Sequence, residues 1–202
     1  MTWLFFDLGS TLIDETVCYQ QRILDTIVDT DISLETFQSV MFHYAKMNKD
    51  AYSCACCHFG LEKVLWRNDL EILYAGVVTL LNTLKQRYAL GIIANQEKGL
   101  TNRLKQFSID SCFSIIVGSG DFNLIKPDVK IFKKALALAD CSPNDAVMIG
   151  DRLDNDILPA QLVGMKTVWV KQGFGGYGNP FLLPFLPNAM IPGITKLLTL
   201  IF

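Results

Sequence analysis

Three polar side chains stand directly behind apolar runs. Asp7 follows Trp-Leu-Phe-Phe, Asn95 follows Leu-Gly-Ile-Ile-Ala, and Asp151 follows Ala-Val-Met-Ile-Gly; a fourth polar residue, Lys126, lies in Ile-Lys-Pro-Asp. Two carboxylates and one ammonium converging on one edge are what a divalent cation and a phosphoryl group require together. The carboxylates offer hard oxygen ligands for Mg²⁺, and the lysine balances the anionic charge that remains.

Something must bring these residues to one edge. Trp3 to Phe6 reads as a buried strand running into a turn at Gly9, Ser10 and Thr11. Further apolar runs at 90–94, 113–117, 146–149 and 166–170 alternate with helical spacings such as Val77, Leu80, Leu84 and Ile131, Phe132, Ala135. That alternation implies crossover connections and a doubly wound, Rossmann-like α/β core: a parallel sheet with helices on both faces. Ligands of such sheets bind at the carboxyl ends of the strands, where Asp7, Asn95 and Asp151 fall.

Between the first two long strands the pattern changes. Tyr19, Ile23 and Ile27 recur four apart, and Leu34, Phe37, Met41 and Tyr44 repeat the spacing behind a Ser33 cap. Residues 51–70 are less regular. The expected organisation is an α/β core from 1–13 plus 76–202, with an all-helical cap at 14–75 that contains no strand.

The chain has 202 residues, 50% of them apolar and 19% charged, which suits a compact globule and excludes disorder. A formal net charge of -2 supplies no positive field for nucleic acid. Apolar stretches are short or broken by Pro184, Pro187 and Pro192, so no membrane span is expected. Met1 to Phe6 carries no basic residue and meets Asp7 at once, a poor signal peptide, and a cytoplasmic protein with reduced cysteines is the expectation.

Asp-Leu-Gly-Ser-Thr-Leu at 7–12, Ile-Ile-Ala-Asn at 92–95, Lys-Pro-Asp at 126–128 and Gly-Asp-Arg-Leu-Asp-Asn-Asp at 150–156 resemble, in order, the four motifs of the haloacid dehalogenase-like hydrolases. The resemblance implies a phosphatase-type enzyme acting on a small phosphorylated metabolite. Asp7 would attack phosphorus to give an aspartyl-phosphate. Mg²⁺ would be held by Asp7, the Gly9 carbonyl and Asp151, with Asp156, and less so Asp154, as a further carboxylate on the metal side. Lys126 would restrain Asp7 and the phosphoryl oxygens, and Ser10, Thr11 and Asn95 would shape the phosphate site.

Two positions depart from the family pattern. The second aspartate that usually follows the nucleophile by two residues is Gly9, which removes a proton-transferring carboxyl worth about 10² to 10⁴ in rate. The hydroxyl residue of the second motif is Ala94, which removes a hydrogen bond worth roughly 1.5 to 3 kcal/mol. An attenuated phosphatase, a metal- and phosphate-binding protein acting through partners, and a phosphonate-cleaving relative using Lys46, Lys49 or Lys63 are the readings left open. Cys54, Cys56, Cys57 and His58 match no common zinc frame and read as cap thiols, His43 reads as a packing or surface residue, and Gly173 to Gly178 opens no helix that would make it a dinucleotide loop.

Overall fold

A computed structural model describes residues 2–200. The chain runs β1 (Trp3–Phe6), β2 (Ile13–Asp14), α1 (Thr16–Ile27), α2 (Leu34–Lys46), α3 (Ala51–Phe59), β3 (Ile72–Leu73), α4 (Val77–Leu84) and β4 (Ala89–Ala94). It continues through α5 (Leu100–Gln106), β5 (Ile115–Gly118), α6 (Ser119–Phe122), α7 (Val129–Ala139), β6 (Ala146–Gly150), α8 (Leu158–Leu162), β7 (Lys166–Val170) and β8 (Ala189–Ile191).

Six strands form one sheet in the order β5-β4-β1-β6-β7-β8, every neighbouring pair parallel. After β1 the chain builds outward on one side through β4 and β5, then returns to lay β6, β7 and β8 on the other. The carboxyl end of β1 is therefore the point at which the strand order reverses, and Asp7 is the first residue beyond it.

Side chains alternate between two cores, as the pleat demands. Leu4, Phe6, Leu90, Ile92, Val147 and Ile149 pack beneath α4 and α5, while Phe5, Ile93, Ala146 and Met148 pack against Ile131, Phe132 and Ala160 of α7 and α8. Burial on both faces is why these strands read as unbroken apolar runs.

The excursion between β1 and β4 differs from expectation in two respects. The stretch at 51–70 contains α3, capped by Asp50, whose carboxylate accepts from the Ser53 N–H at 2.9 Å, and ended by Gly60 in the left-handed region. Its inward positions Ala51, Tyr52, Ala55 and Cys56 are mostly small, which hides the helical period in the sequence. The excursion also contains strand: β2 and β3 pair antiparallel at its base, with Ile13 opposite Leu73 and Asp14 opposite Ile72. Both segments are two residues long, too short to carry a periodicity. The three helices share a core of their own, including Ile23, Phe37, Met41 and Tyr52. No helix among the described residues is long and apolar enough to cross a membrane.

Candidate active site

Asp7 leaves β1 with its N–H donating to the Ile149 carbonyl at 2.9 Å, which seats it between β1 and β6. One strand over, Asp151 follows β6, and its carbonyl accepts from the Trp169 indole at 2.7 Å. Asp156 lies on a π-turn at Leu153–Ile157, the type of irregular turn that collects at functional sites. It folds back against the strand end, where its Oδ2 accepts from the Arg152 N–H at 3.0 Å. This return depends on Gly150, since a Cβ there would sit 2.6 Å from Asp156 Cβ and Cγ.

Lys126 completes the cluster. Its ammonium donates to Asp7 Oδ1 and to Asp156 Oδ1, each at 2.6 Å, and its side chain is fully buried. Burial alone would lower its pKa, but the charges of Asp156 and Asp7 outweigh burial and hold it above the ordinary lysine value. The lysine stays charged. Asn95 positions it: the amide Nδ2 donates to the Lys126 carbonyl at 2.9 Å and Oδ1 accepts from the Lys126 N–H at 2.8 Å. Both ends of the Asn95 amide are thus engaged with backbone.

One oxygen from each of Asp7, Asp151 and Asp156 lies within 4.8 Å of the others. Three carboxylates face a single ammonium, and the imbalance is visible in their chemistry. Burial, then Asp156, Asp7 and Glu15, push Asp151 well above the carboxylate range; burial also lifts Asp156 to about 6 against the pull of Lys126. A hard divalent cation would relieve this frustration, and an all-oxygen donor set is the kind Mg²⁺ takes. Thr11 stands between the two strand-end acids, its hydroxyl 3.4 Å from Asp7 Oδ2 and 3.3 Å from Asp151 Oδ1, with one proton to share.

Ser10 faces elsewhere. In the left-handed region at φ 54, it turns its hydroxyl to donate to Glu15 Oε2 at 2.7 Å. Asp154 is drawn away by Arg152, which reaches its Oδ1 and Oδ2 at 3.1 and 2.6 Å.

Two features of the site are not assigned to it by the sequence. The loop at 173–178 packs directly on it: a Cβ at Gly173 would meet Ser10 Oγ at 2.5 Å, and one at Gly175 would run into the Asp151 carboxylate and lie 2.7 Å from its backbone oxygen. Its cluster of glycines was the available signal. The other is Glu15, whose carboxyl occupies the space beside Gly9; a Cβ at position 9 would collide with Oε1 and stand 2.9 Å from Cδ. Burial lifts this carboxyl to about 8, opposed by the Ser10 hydrogen bond and reinforced by Asp7 and Glu71.

Glu15, Tyr19, Asn95 and Arg103 line an open cleft of about 930 Å³ between the helical excursion and the sheet. Arg22 and Lys98 add positive charge to its walls, and Arg103 is paired with Glu71. On the other side, Tyr19 and Phe42 pack edgewise or tilted on Phe174 at 5.1 and 5.2 Å, tying α1 and α2 to the glycine-rich loop. The cysteine stretch supplies no ligand to this cluster: Cys56 is buried, Cys54 half-buried and Cys57 exposed, and the Asp7, Asp151 and Asp156 group is the one carboxylate or His/Cys cluster of metal-holding geometry among the described residues. His43, Lys46 and Lys63 are exposed, while Lys49 borders a small cavity beside Asp151.

Comparison with known proteins gives a consistent result. The chain is 31% identical to the glyceraldehyde 3-phosphate phosphatase of Pyrococcus furiosus over 84% of this chain and 80% of that protein. It is 30% identical to the pyrophosphatase PpaX of Bacillus thuringiensis over 58% of this chain and 53% of that one. In fold it is similar to a HAD phosphatase from Thermococcus onnurineus, with a TM-score of 0.64 and 22% identity over 98% of this chain and 97% of the other. The family profile described as haloacid dehalogenase-like hydrolase matches residues 4–170, a span that runs from within β1 to the end of β7 and takes in all the acidic and basic residues gathered around Lys126; the chain belongs to that family.

Proposed function

We propose that this chain is a Mg²⁺-dependent phosphatase of small phosphorylated metabolites that works through an aspartyl-phosphate on Asp7, with 14–75 acting as a cap over the strand ends of a core formed by 1–13 and 76–202. The observation that carries the reading is the Lys126 ammonium locked 2.6 Å from one oxygen of Asp7, with Asp151 grouped around the same carboxylate. A carboxylate held by one oxygen presents the other in a fixed direction, which is what in-line attack on phosphorus requires.

Asp7, the Gly9 carbonyl and Asp151 would hold Mg²⁺. Bound there, the cation would supply charge neutralisation for the phosphoryl oxygens. Asp156, engaged by Lys126 and the Arg152 N–H, supports the metal side by fixing the lysine. Lys126 neutralises Asp7 and then the transferred oxygens. Asn95 serves the phosphate pocket through its hold on the Lys126 backbone, and Thr11 and Ser10 shape the loop around the nucleophile. The similarity to phosphatases named for a sugar phosphate and for pyrophosphate supports a phosphorylated small molecule as substrate, and the basic residues on the cleft wall suit its charge.

The competing reading, phosphate and metal binding with little turnover, rests on the absent side chain at Gly9. Hydrolysis of aryl, acyl and alkyl phosphates with Mg²⁺ decides between them. Turnover by the wild type, abolished in Asp7→Asn, with acid-stable covalent phosphate on Asp7 after rapid quench, is the expected result. No turnover on any phosphoryl donor while Mg²⁺ still binds would overturn the proposal.

A further inference from the structure

We propose that Glu15, reaching back over Gly9 from the start of the helical cap, is the proton donor and acceptor of this site. The inference rests on the phosphatase reading and supplies the group that the motif around Asp7 lacks.

Position 9 and the Glu15 carboxyl compete for one volume. A Cβ on Gly9 would collide with Glu15 Oε1, stand 2.9 Å from Cδ and lie 3.1 Å from Oε2. The carboxyl missing from position 9 is thus replaced in space by one arriving from six residues later. The turn between them is built for this return. Leu12 and Ile13 donate back to the Leu8 carbonyl at 2.9 and 3.0 Å, and β2 then pairs with β3, which leaves Glu15 at the exit of the turn beside the residue it left. Ser10 adopts a left-handed backbone and donates to Oε2 at 2.7 Å, fixing the carboxyl with Oε1 directed toward Gly9. Serine seldom adopts that backbone conformation, and here it accompanies the bond to Glu15.

The carboxyl also faces the space a leaving group needs. Glu15 lines the open cleft together with Asn95, whose amide holds Lys126. It lies near enough to Asp7 for that charge to bear on it.

The steps balance. As an oxygen of Asp7 bonds to phosphorus, the bond from phosphorus to the ester oxygen breaks, and that oxygen takes the electron pair together with the Glu15 proton. The resulting Glu15 carboxylate then takes a proton from water as the water oxygen attacks the aspartyl-phosphate. The bond from phosphorus to Asp7 breaks, inorganic phosphate leaves, and Glu15 is again protonated. Location at the start of the cap, just ahead of α1, places proton transfer on the segment that any cap movement would carry, so an open cap would withdraw the acid from Asp7.

The test compares an aryl phosphate of low leaving-group pKa with an alkyl phosphate, both with Mg²⁺, in wild type, Glu15→Gln and the exchange variant Gly9→Asp/Glu15→Ala. Glutamine keeps the shape and an acceptor for Ser10 but cannot transfer the proton. The alkyl substrate should lose about 10²- to 10⁴-fold in kcat/KM in Glu15→Gln, and the aryl substrate less than about tenfold. Because the second step is also slowed, the aryl substrate should give a burst of phenol near one equivalent, with covalent phosphate retained on the protein. Gly9→Asp/Glu15→Ala should recover alkyl hydrolysis, a result that a structural role for Glu15 would not produce. Equal losses on both substrates with no burst and no recovery in the exchange variant would overturn the inference while leaving the phosphatase reading intact. A wild type inert toward both substrates would instead remove the reading on which it rests.

Discussion

Replacing Lys126 by methionine isolates the electrostatics of the site. The stem is kept and the buried cation that touches both Asp7 and Asp156 is removed, each contact being 2.6 Å long. Breaking a buried pair strands the partner charge and costs roughly 3 to 5 kcal/mol. For a chain of this size each kcal/mol moves the melting temperature by about 2 to 4 °C, so a loss of roughly 6 to 20 °C is expected at pH 8 without Mg²⁺.

The pH dependence gives the sharper test, and its sign follows from the acids. Asp156 sits at about 6 when folded, above its ordinary 3.8, because burial outweighs Lys126. A folded-state pKa above the unfolded value means that the folded protein holds the extra proton between the two, so stability falls as pH rises through that window. Without the lysine the folded value climbs further and the window widens upward. Lys126, raised above 10.5, is charged throughout pH 5 to 8 and adds no titration of its own in that range. The penalty of Lys126→Met should therefore be large at pH 8, shrink toward pH 5 as the variant's acids take up protons, and be partly offset at pH 8 by saturating Mg²⁺. Thermal unfolding by circular dichroism at the two pH values, with EDTA and with Mg²⁺, reads all three. A penalty of equal size at pH 5 and pH 8 would refute the reasoning, since it would reflect lost packing and not stranded charge.

Three further outcomes follow from the same geometry. Mg²⁺ should raise the melting temperature of the wild type by an amount that increases with concentration, near 2.7 kcal/mol of added stability at a hundredfold excess over Kd, and Asp151→Ala should abolish the shift in a thermal-shift titration. Gly175→Ala, whose Cβ would press on the Asp151 carboxylate and backbone, should cost about 1 to 3 kcal/mol and weaken Mg²⁺ binding by calorimetry, whereas Gly60→Ala, whose Cβ meets nothing within 4 Å, should leave Mg²⁺ affinity as it was. Replacing 16–70 by a short linker between β2 and β3 should leave a cooperatively folding sheet domain, because the helices bury a cluster separate from both cores of the sheet; a molten product by near-ultraviolet circular dichroism would show that the excursion belongs to the main core.

The parts of the fold legible in the sequence were those with enough residues to show a period. Strands β1, β4, β6 and β7 are apolar on both faces and announce themselves as runs, while α1, α2 and α4 show their buried stripe at intervals of three and four. Helix α3 turns small side chains inward, so nothing large marks its face. Strand β8 has only three residues, between Pro187 and Pro192, and takes its place from pairing with β7 at Val168 to Val170. Its identity as a strand is a property of the neighbour it joins.

The site divides along the same line. Asp7 and Asp151 end long buried strands, so topology alone predicts that they meet, and Lys126 and Asp156 join them through contacts of 2.6 Å. Glu15 has no such marker. Read along the chain it is an acidic residue at a helix start, one of the commonest places for a carboxylate to stabilise exposed N–H groups. Its side chain makes no N-cap hydrogen bond to α1 and is turned the other way, toward Ser10 and the empty side of Gly9. An absence at position 9 and an ordinary glutamate at position 15 are each uninformative alone; they become one statement only when the turn closes and brings the carboxyl into the volume the glycine leaves free. A motif missing a residue in sequence can therefore be complete in space, and position 9 is better judged by what fills its side-chain volume than by the residue it carries.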